Sequence, residues 1–186
     1  MFKIEDGKGK GNLAGVSDEH RLLVNAVQES KMENLAEDNE SAYLTYMKRD
    51  IASADTYEAV GYLMYTGSHG FHIEKIILTG NEICKFEVFV EPTSVSGGDA
   101  RVPLNTNRRS GKTLDCTCLT GSTAITGTVD SNKELLCANL QADSTFAWEL
   151  KGALILPKNS SIWIQAQSPT IGAKLRAVIF GYEDTH

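Results

Sequence analysis

No run of apolar residues in this sequence approaches the ~18 that span a bilayer, and the opening MFKIEDGKGK lacks the apolar core of a signal peptide. The expectation is a protein folded in a reducing compartment, with no membrane partner. Positive charge is also in short supply. Eighteen Lys and Arg stand against 24 Asp and Glu, giving a formal net charge of −6 and a pI near 5.2. The field of such a chain opposes a polyanion, which argues against direct nucleic-acid binding. Cysteine is limited to Cys84, Cys116, Cys118 and Cys137, and no two of them form the C-x-x-C pair that wraps a tetrahedral metal. Packed free thiols are expected rather than zinc, and nothing marks the secretion that would favour disulfides. Histidine is limited to His20, His69, His72 and His186. His69 and His72 flank Gly70-Phe71 at a turn, a spacing that misses the helical i, i+4 metal pair, so a solvated hairpin end is expected there. H-E-x-x-H and G-x-S-x-G are both missing, and carboxylate pairs such as Glu183-Asp184 read as a solvated tail. The chain therefore reads as a non-enzyme without metal or cofactor, although β-sandwich glycosidases do place their two carboxylates far apart in sequence.

At 186 residues the chain holds one sizeable core plus an appendage. Two textures divide it. Residues 1–50 are polar, with the acidic stretch QESKMENLAEDNES at their centre, and that composition buries little. Within them Leu22-Leu23-Val24-Asn25-Ala26-Val27 reads either as an added strand or as an apolar strip facing a partner. A helix over VQESKMENLAED is equally compatible with its residue types. Near the start, EDGKGKGNLAG sets Gly7, Gly9 and Gly11 around Lys8 and Lys10. A phosphate cradle would need a preceding buried strand and a G-K-[ST] closure, and neither is there. The alternation reads instead as a flexible basic turn near a terminus, or, in an arm that meets a partner, as backbone that lies flat with the two lysines free to pair with acidic groups.

Residues 51–186 change to short β segments punctuated by Gly, Pro, Asn and Ser. CKFEVFVEP alternates, placing Cys84, Phe86, Val88 and Val90 on one face and Lys85, Glu87, Phe89 and Glu91 on the other, a half-buried strand closed by Pro92. AKLRAVIFGYED sets Leu175, Ala177 and Ile179 against Lys174 and Arg176, then adds Phe180 and Tyr182 to the second face. AVGYLMYTGSHGFHIEKIILTG reads as a hairpin around Thr66 to Gly70, and GALILPKNSSIWIQAQ as strand, turn, strand. Regular short strands without 3.6-residue periodicity predict an all-β antiparallel sandwich.

Three features of this region are candidates for recognition. Trp163 stands between Ile162 and Ile164 with Gln165 and Gln167 on its own face, which suggests a partly exposed indole and a candidate glycan contact. Trp148 alternates with Phe146 and Leu150, a core pattern. The loop RVPLNTNRRSGKT gathers Arg101, Arg108, Arg109 and Lys112 in an otherwise acidic chain, suited to an anionic partner or simply to solvent. Phe180 lies on the second apolar face of the last strand, where a closed assembly would bury what a monomer leaves wet.

The opening KIEDGKGKGNLAGVSDEHRLLVNAV resembles that of structural proteins of tailed-phage virions, through Ile4, Asp6, Gly7, Gly9, Gly11, Val16, Arg21 and Leu22. VPLNTNRRSGKT and the closing GALILPKNSSIWIQAQSP…GAKLRAVIFGYED are similar to segments of the jelly-roll domains in such proteins. The resemblance implies a jelly-roll-like sandwich behind an N-terminal arm, in a capsid decoration or head-fibre subunit. It further implies a homotrimer, anchored by the arm to the major capsid protein or another virion protein and assembled in the bacterial host cytoplasm. No catalytic residue comes with it. A glycan-binding or tail-associated adsorption module is the alternative.

Overall fold

A computed structural model describes residues 15–16, 22–23, 41–107 and 109–183. The chain divides into two units, residues 1–30 and 31–186. In the first, β1 (Gly15–Val16) pairs antiparallel with β2 (Leu22–Leu23). The alternative helix over VQESKMENLAED lies outside the described residues. Among those that are described, no helix is long and apolar enough to cross a membrane.

The second unit is a sandwich of two antiparallel sheets. Its strands are β3 (Ala42–Asp50), β4 (Glu58–Tyr65), β5 (Phe71–Gly80), β6 (Cys84–Val90), β7 (Thr93–Arg101), β8 (Leu104–Asn105), β9 (Cys116–Thr128), β10 (Glu134–Leu140), β11 (Ser144–Leu156), β12 (Ser161–Gln167) and β13 (Lys174–Glu183). One sheet runs β11-β5-β13-β3-β8 and the other β10-β6-β12-β4-β9-β7. With β7 to β9 set aside, eight strands remain, and they pair first with last. β3 lies beside β13, β4 beside β12, β5 beside β11 and β6 beside β10. That nesting is the jelly-roll topology, a long antiparallel ribbon rolled so that successive strands alternate between sheets.

This topology corrects one local expectation. The segment around Thr66 to Gly70 does not close a hairpin, because β4 and β5 belong to different sheets and the link crosses the sandwich. Period-2 alternation marks a strand without naming its neighbour. Between β11 and β12, Pro157 to Ser160 does form the expected turn, with Ser160 N–H donating to Pro157 O at 3.0 Å and Asn159 at a φ of 65°.

The boundary expected at residue 50 also moves. β3 sits between β13 and β8, and its Tyr43 and Met47 are buried in the core with Ile51 just beyond it. Between the sheets these meet Leu63 and Tyr65 of β4, Ile73 and Ile76 of β5 and Ile179 of β13. Residues 42–50 therefore belong to the sandwich. At the far end of the same strand pair, the Tyr65 hydroxyl donates to the Glu183 carboxylate and ties β4 to β13.

β9 gives the second sheet a covered outer face. It pairs with β4 from Cys116 to Thr120 and with β7 as far as Thr128. Gly121 marks the departure from β4, for a Cβ there would stand 2.2 Å from the carbonyl oxygen of Ala59. Around this ribbon Ala59, Tyr62, Phe89, Ile125 and Trp163 form a second apolar cluster, backed by Met64, Val95, Leu119 and Val129. β6 is consequently buried on both faces rather than half-buried, with Glu87 and Phe89 enclosed on the side expected to be wet.

Candidate functional site

Strand register places the side chains on the outer face of the five-stranded sheet in rows. One row runs Glu149, Lys75, Phe180, Leu44 and Leu104 across β11, β5, β13, β3 and β8. The next runs Ala147, Ile77, Val178 and Tyr46 across the first four of these. Phe180, Leu44, Ile77 and Val178 are only partly buried, while Tyr46 keeps 37% and Leu104 51% of its surface exposed. On the inner side of β13, Leu175, Ala177 and Ile179 are fully buried, so this strand is apolar on both faces. An antiparallel sheet with one solvated face ordinarily alternates apolar and polar, and contiguous apolar side chains on the wet side depart from that pattern. Among the described residues one ion pair edges the patch, Lys75 Nζ to Glu149 Oε1 at 2.8 Å.

A third row, Thr145, Thr79, Arg176 and Lys48, borders the apolar two. Arg176 and Lys48 face each other directly, and both are exposed. On the opposite border, the His72 ring stacks on Tyr182, 4.8 Å between centroids and 5° between planes. His72 thus belongs to the sheet face rather than to the solvated turn expected for it. β11 arches over this pair at a bulge where Gly152 takes a φ of +74°. A Cβ there would come within 2.8 Å of the Tyr182 hydroxyl.

The other sequence candidates do not converge. Gly7, Lys8, Gly9, Lys10, Gly11 and Arg108 lie outside the described residues. Arg101, Arg109 and Lys112 are exposed. Asn105 shapes their loop, its Oδ1 accepting from Asn107 N–H at 2.9 Å and its amide donating to Lys112 O at 3.4 Å. Trp163 departs from expectation, being 3% exposed and covered by Ile125 and the β9 backbone at Gly127. Its indole N–H donates to Gln165 Oε1 at 3.0 Å, so the glutamine that suggested exposure caps a buried ring.

Beside Trp163 a cleft of about 270 Å³ is lined by Arg49, Tyr57, Glu58, Thr126 and Gln165, among others. Its polar groups are already engaged. Arg49 pairs with Glu58 and donates to Gly121 O at 2.8 Å. Gln165 Nε2 donates to Glu87 at 2.9 Å, Lys85 Nζ at 2.7 Å and Tyr57 Oη at 2.5 Å. Burial works against ionisation of Glu87, but these three donors outweigh it and hold the carboxyl below its usual range. The network stitches β6 to β12 and leaves few vacant donors for a sugar.

Cys84 and Cys118 are buried, Cys116 is partly buried and Cys137 is exposed. Among the described residues no three His, Cys, Asp or Glu side chains converge as a metal site would require. Burial pushes the Cys84 thiol up to about 11. Burial, together with Asp115 beside Cys116 and Cys116 beside Cys118, pushes the other two to about 12, against an ordinary 9.0. Alkylation of the native protein at about pH 8 should therefore stop at one adduct, on Cys137, and reach four only after unfolding. The stability tied to the raised thiols is complete below the ordinary value. It falls as pH climbs from there toward the folded values, because the unfolded chain releases those protons first. Each group contributes a slope of at most ~1.4 kcal/mol per pH unit. Intact-mass measurement and thermal melts from neutral to alkaline pH check both, and a second adduct on the folded chain would contradict the packing described.

Set against family models, curated proteins and solved structures, the chain has no match.

Proposed function

We propose that this protein is a non-enzymatic structural subunit of a tailed-phage virion, of the capsid decoration or head-fibre type. In this reading it associates with copies of itself, as a trimer, and its N-terminal arm grips the major capsid protein or another virion protein. The observation that carries the self-association is the pair of apolar rows on the outer face of the five-stranded sheet, centred on Phe180, Leu44, Ile77, Val178 and Tyr46. A symmetric assembly removes such a surface from water at ~25 cal/mol per Å² of apolar area. The virion context rests on the resemblance in the arm and in the closing strands, and the jelly-roll topology is compatible with it. The glycan-binding alternative drew on Trp163, whose ring has no open face on which a sugar could stack.

Peptide mapping of particles purified from infected cells tests the virion assignment. The chain should appear at a fixed ratio to the shell protein. Its absence from the particles would overturn the virion reading, and the self-association argument would then stand on the sheet face alone.

A further inference from the structure

We infer that the outer face of the five-stranded sheet receives the acidic N-terminal segment, residues 24–40, of a neighbouring copy of this chain, an inference that rests on the self-association proposed above. The face has an apolar band and a cationic border. Phe180, Leu44, Val178, Ile77 and Tyr46 make the band, and Arg176 with Lys48 makes the border one row further on. Like charges directly opposite each other on neighbouring strands repel and destabilise the pair. Neither Arg176 nor Lys48 has an ion-pair partner among the described residues, so an incoming carboxylate would relieve a repulsion built into the sheet. In a chain of net charge −6, this border carries Arg176 and Lys48 and, one row on, Lys174 against Asp50, an excess of positive charge that favours an acidic ligand.

The chain itself carries a ligand of that character. Residues 24–40 read VNAVQESKMENLAEDNE, with Val24, Val27, Met32 and Leu35 as apolar side chains, and with Glu29, Glu33, Glu37, Asp38 and Glu40 against a single lysine, Lys31. Apolar residues come first and acids dominate the later part, which matches a band bordered by a basic row. The segment is long enough to cover the face, since seventeen residues span at most about 60 Å and the distance along β3 from Leu44 to Lys48 is only about 13 Å. An arm crossing from one copy to the next makes a head-to-tail contact, the kind that closes a ring.

Charge reversal in the full chain tests this. One variant reverses the arm (Glu33→Lys, Glu37→Lys, Asp38→Lys), a second reverses the face (Lys48→Glu, Arg176→Glu), and a third combines the two. Sedimentation equilibrium at low salt should show each single reversal weakening self-association by about tenfold or more, and the combination restoring it to within about threefold of the wild type. Circular dichroism checks that all three remain folded, as changes at exposed positions allow. Single reversals that leave association unchanged, or a combination weaker than either alone, overturn the inference. So does a coupling between the reversals that appears in thermal melts with no change in mass, because the arm would then lie on its own sheet. A monomeric wild-type chain overturns the self-association reading as well, whereas an oligomer indifferent to these reversals overturns only the docking of the arm.

Discussion

Phe180→Asp should convert the self-associated form proposed above into folded monomers. Phe180 sits at the centre of the apolar patch, with Leu44 on one side, Lys75 on the other and Val178 two residues before it on the same strand. In a monomer the new carboxylate would face water and the Lys75 ammonium, so the fold should tolerate it with a melting temperature within a few degrees of the wild type. In an assembly the same carboxylate would be taken out of water among apolar side chains, and removal of a central aromatic anchor costs ~2 kcal/mol or more before that desolvation is counted. Association should weaken by about a hundredfold or more. Lys158→Asp, in the exposed turn between β11 and β12, should leave the mass unchanged. Light scattering distinguishes these outcomes, and a Phe180→Asp protein that keeps its wild-type mass would remove this face from the account.

Deletion of residues 1–50 should abolish folding, and deletion of residues 1–30 should not. The longer cut removes β3, leaving β13 without a hydrogen-bonded neighbour along that edge and stripping Tyr43 and Met47 from the core. Large-to-small changes at single buried sites of this kind cost ~2–5 kcal/mol, and a domain is stable by only ~5–15 kcal/mol, so two such losses together with a strand exceed the margin. The shorter cut falls at the division between the two units. Far-UV circular dichroism and a cooperative melt report both results. A shorter deletion that unfolds, or a longer one that melts cooperatively, would contradict the placement of β3.

The strands were legible wherever one face of the pleat is polar. β13 shows Leu175, Ala177 and Ile179 against Lys174 and Arg176, and the addition of Phe180 to the second face was visible in the same stretch. β3 was missed because AYLTYMKRD follows the acid-rich segment and carries apolar residues on both faces, Tyr43 and Met47 inward and Leu44 and Tyr46 outward, so its alternation is weak. Partners were not legible, since a strand's pattern fixes which side chains face the core and not which strand lies beside it. The patch shows this, because Leu44, Ile77 and Leu104 are far from Phe180 in sequence and only register brings them into line with it or beside it. Trp163 failed for a related reason. Glutamines two and four residues on normally mark a wet face, but the β7–β9 ribbon folds over this one and turns Gln165 into the indole's hydrogen-bond acceptor.

The central claim is that this sandwich is built to be joined to copies of itself, and the mass of the full-length chain in solution tests it most directly. Multi-angle light scattering across micromolar concentrations should return three times the 20.3 kDa of the single chain. A steady 20.3 kDa over that range would contradict it.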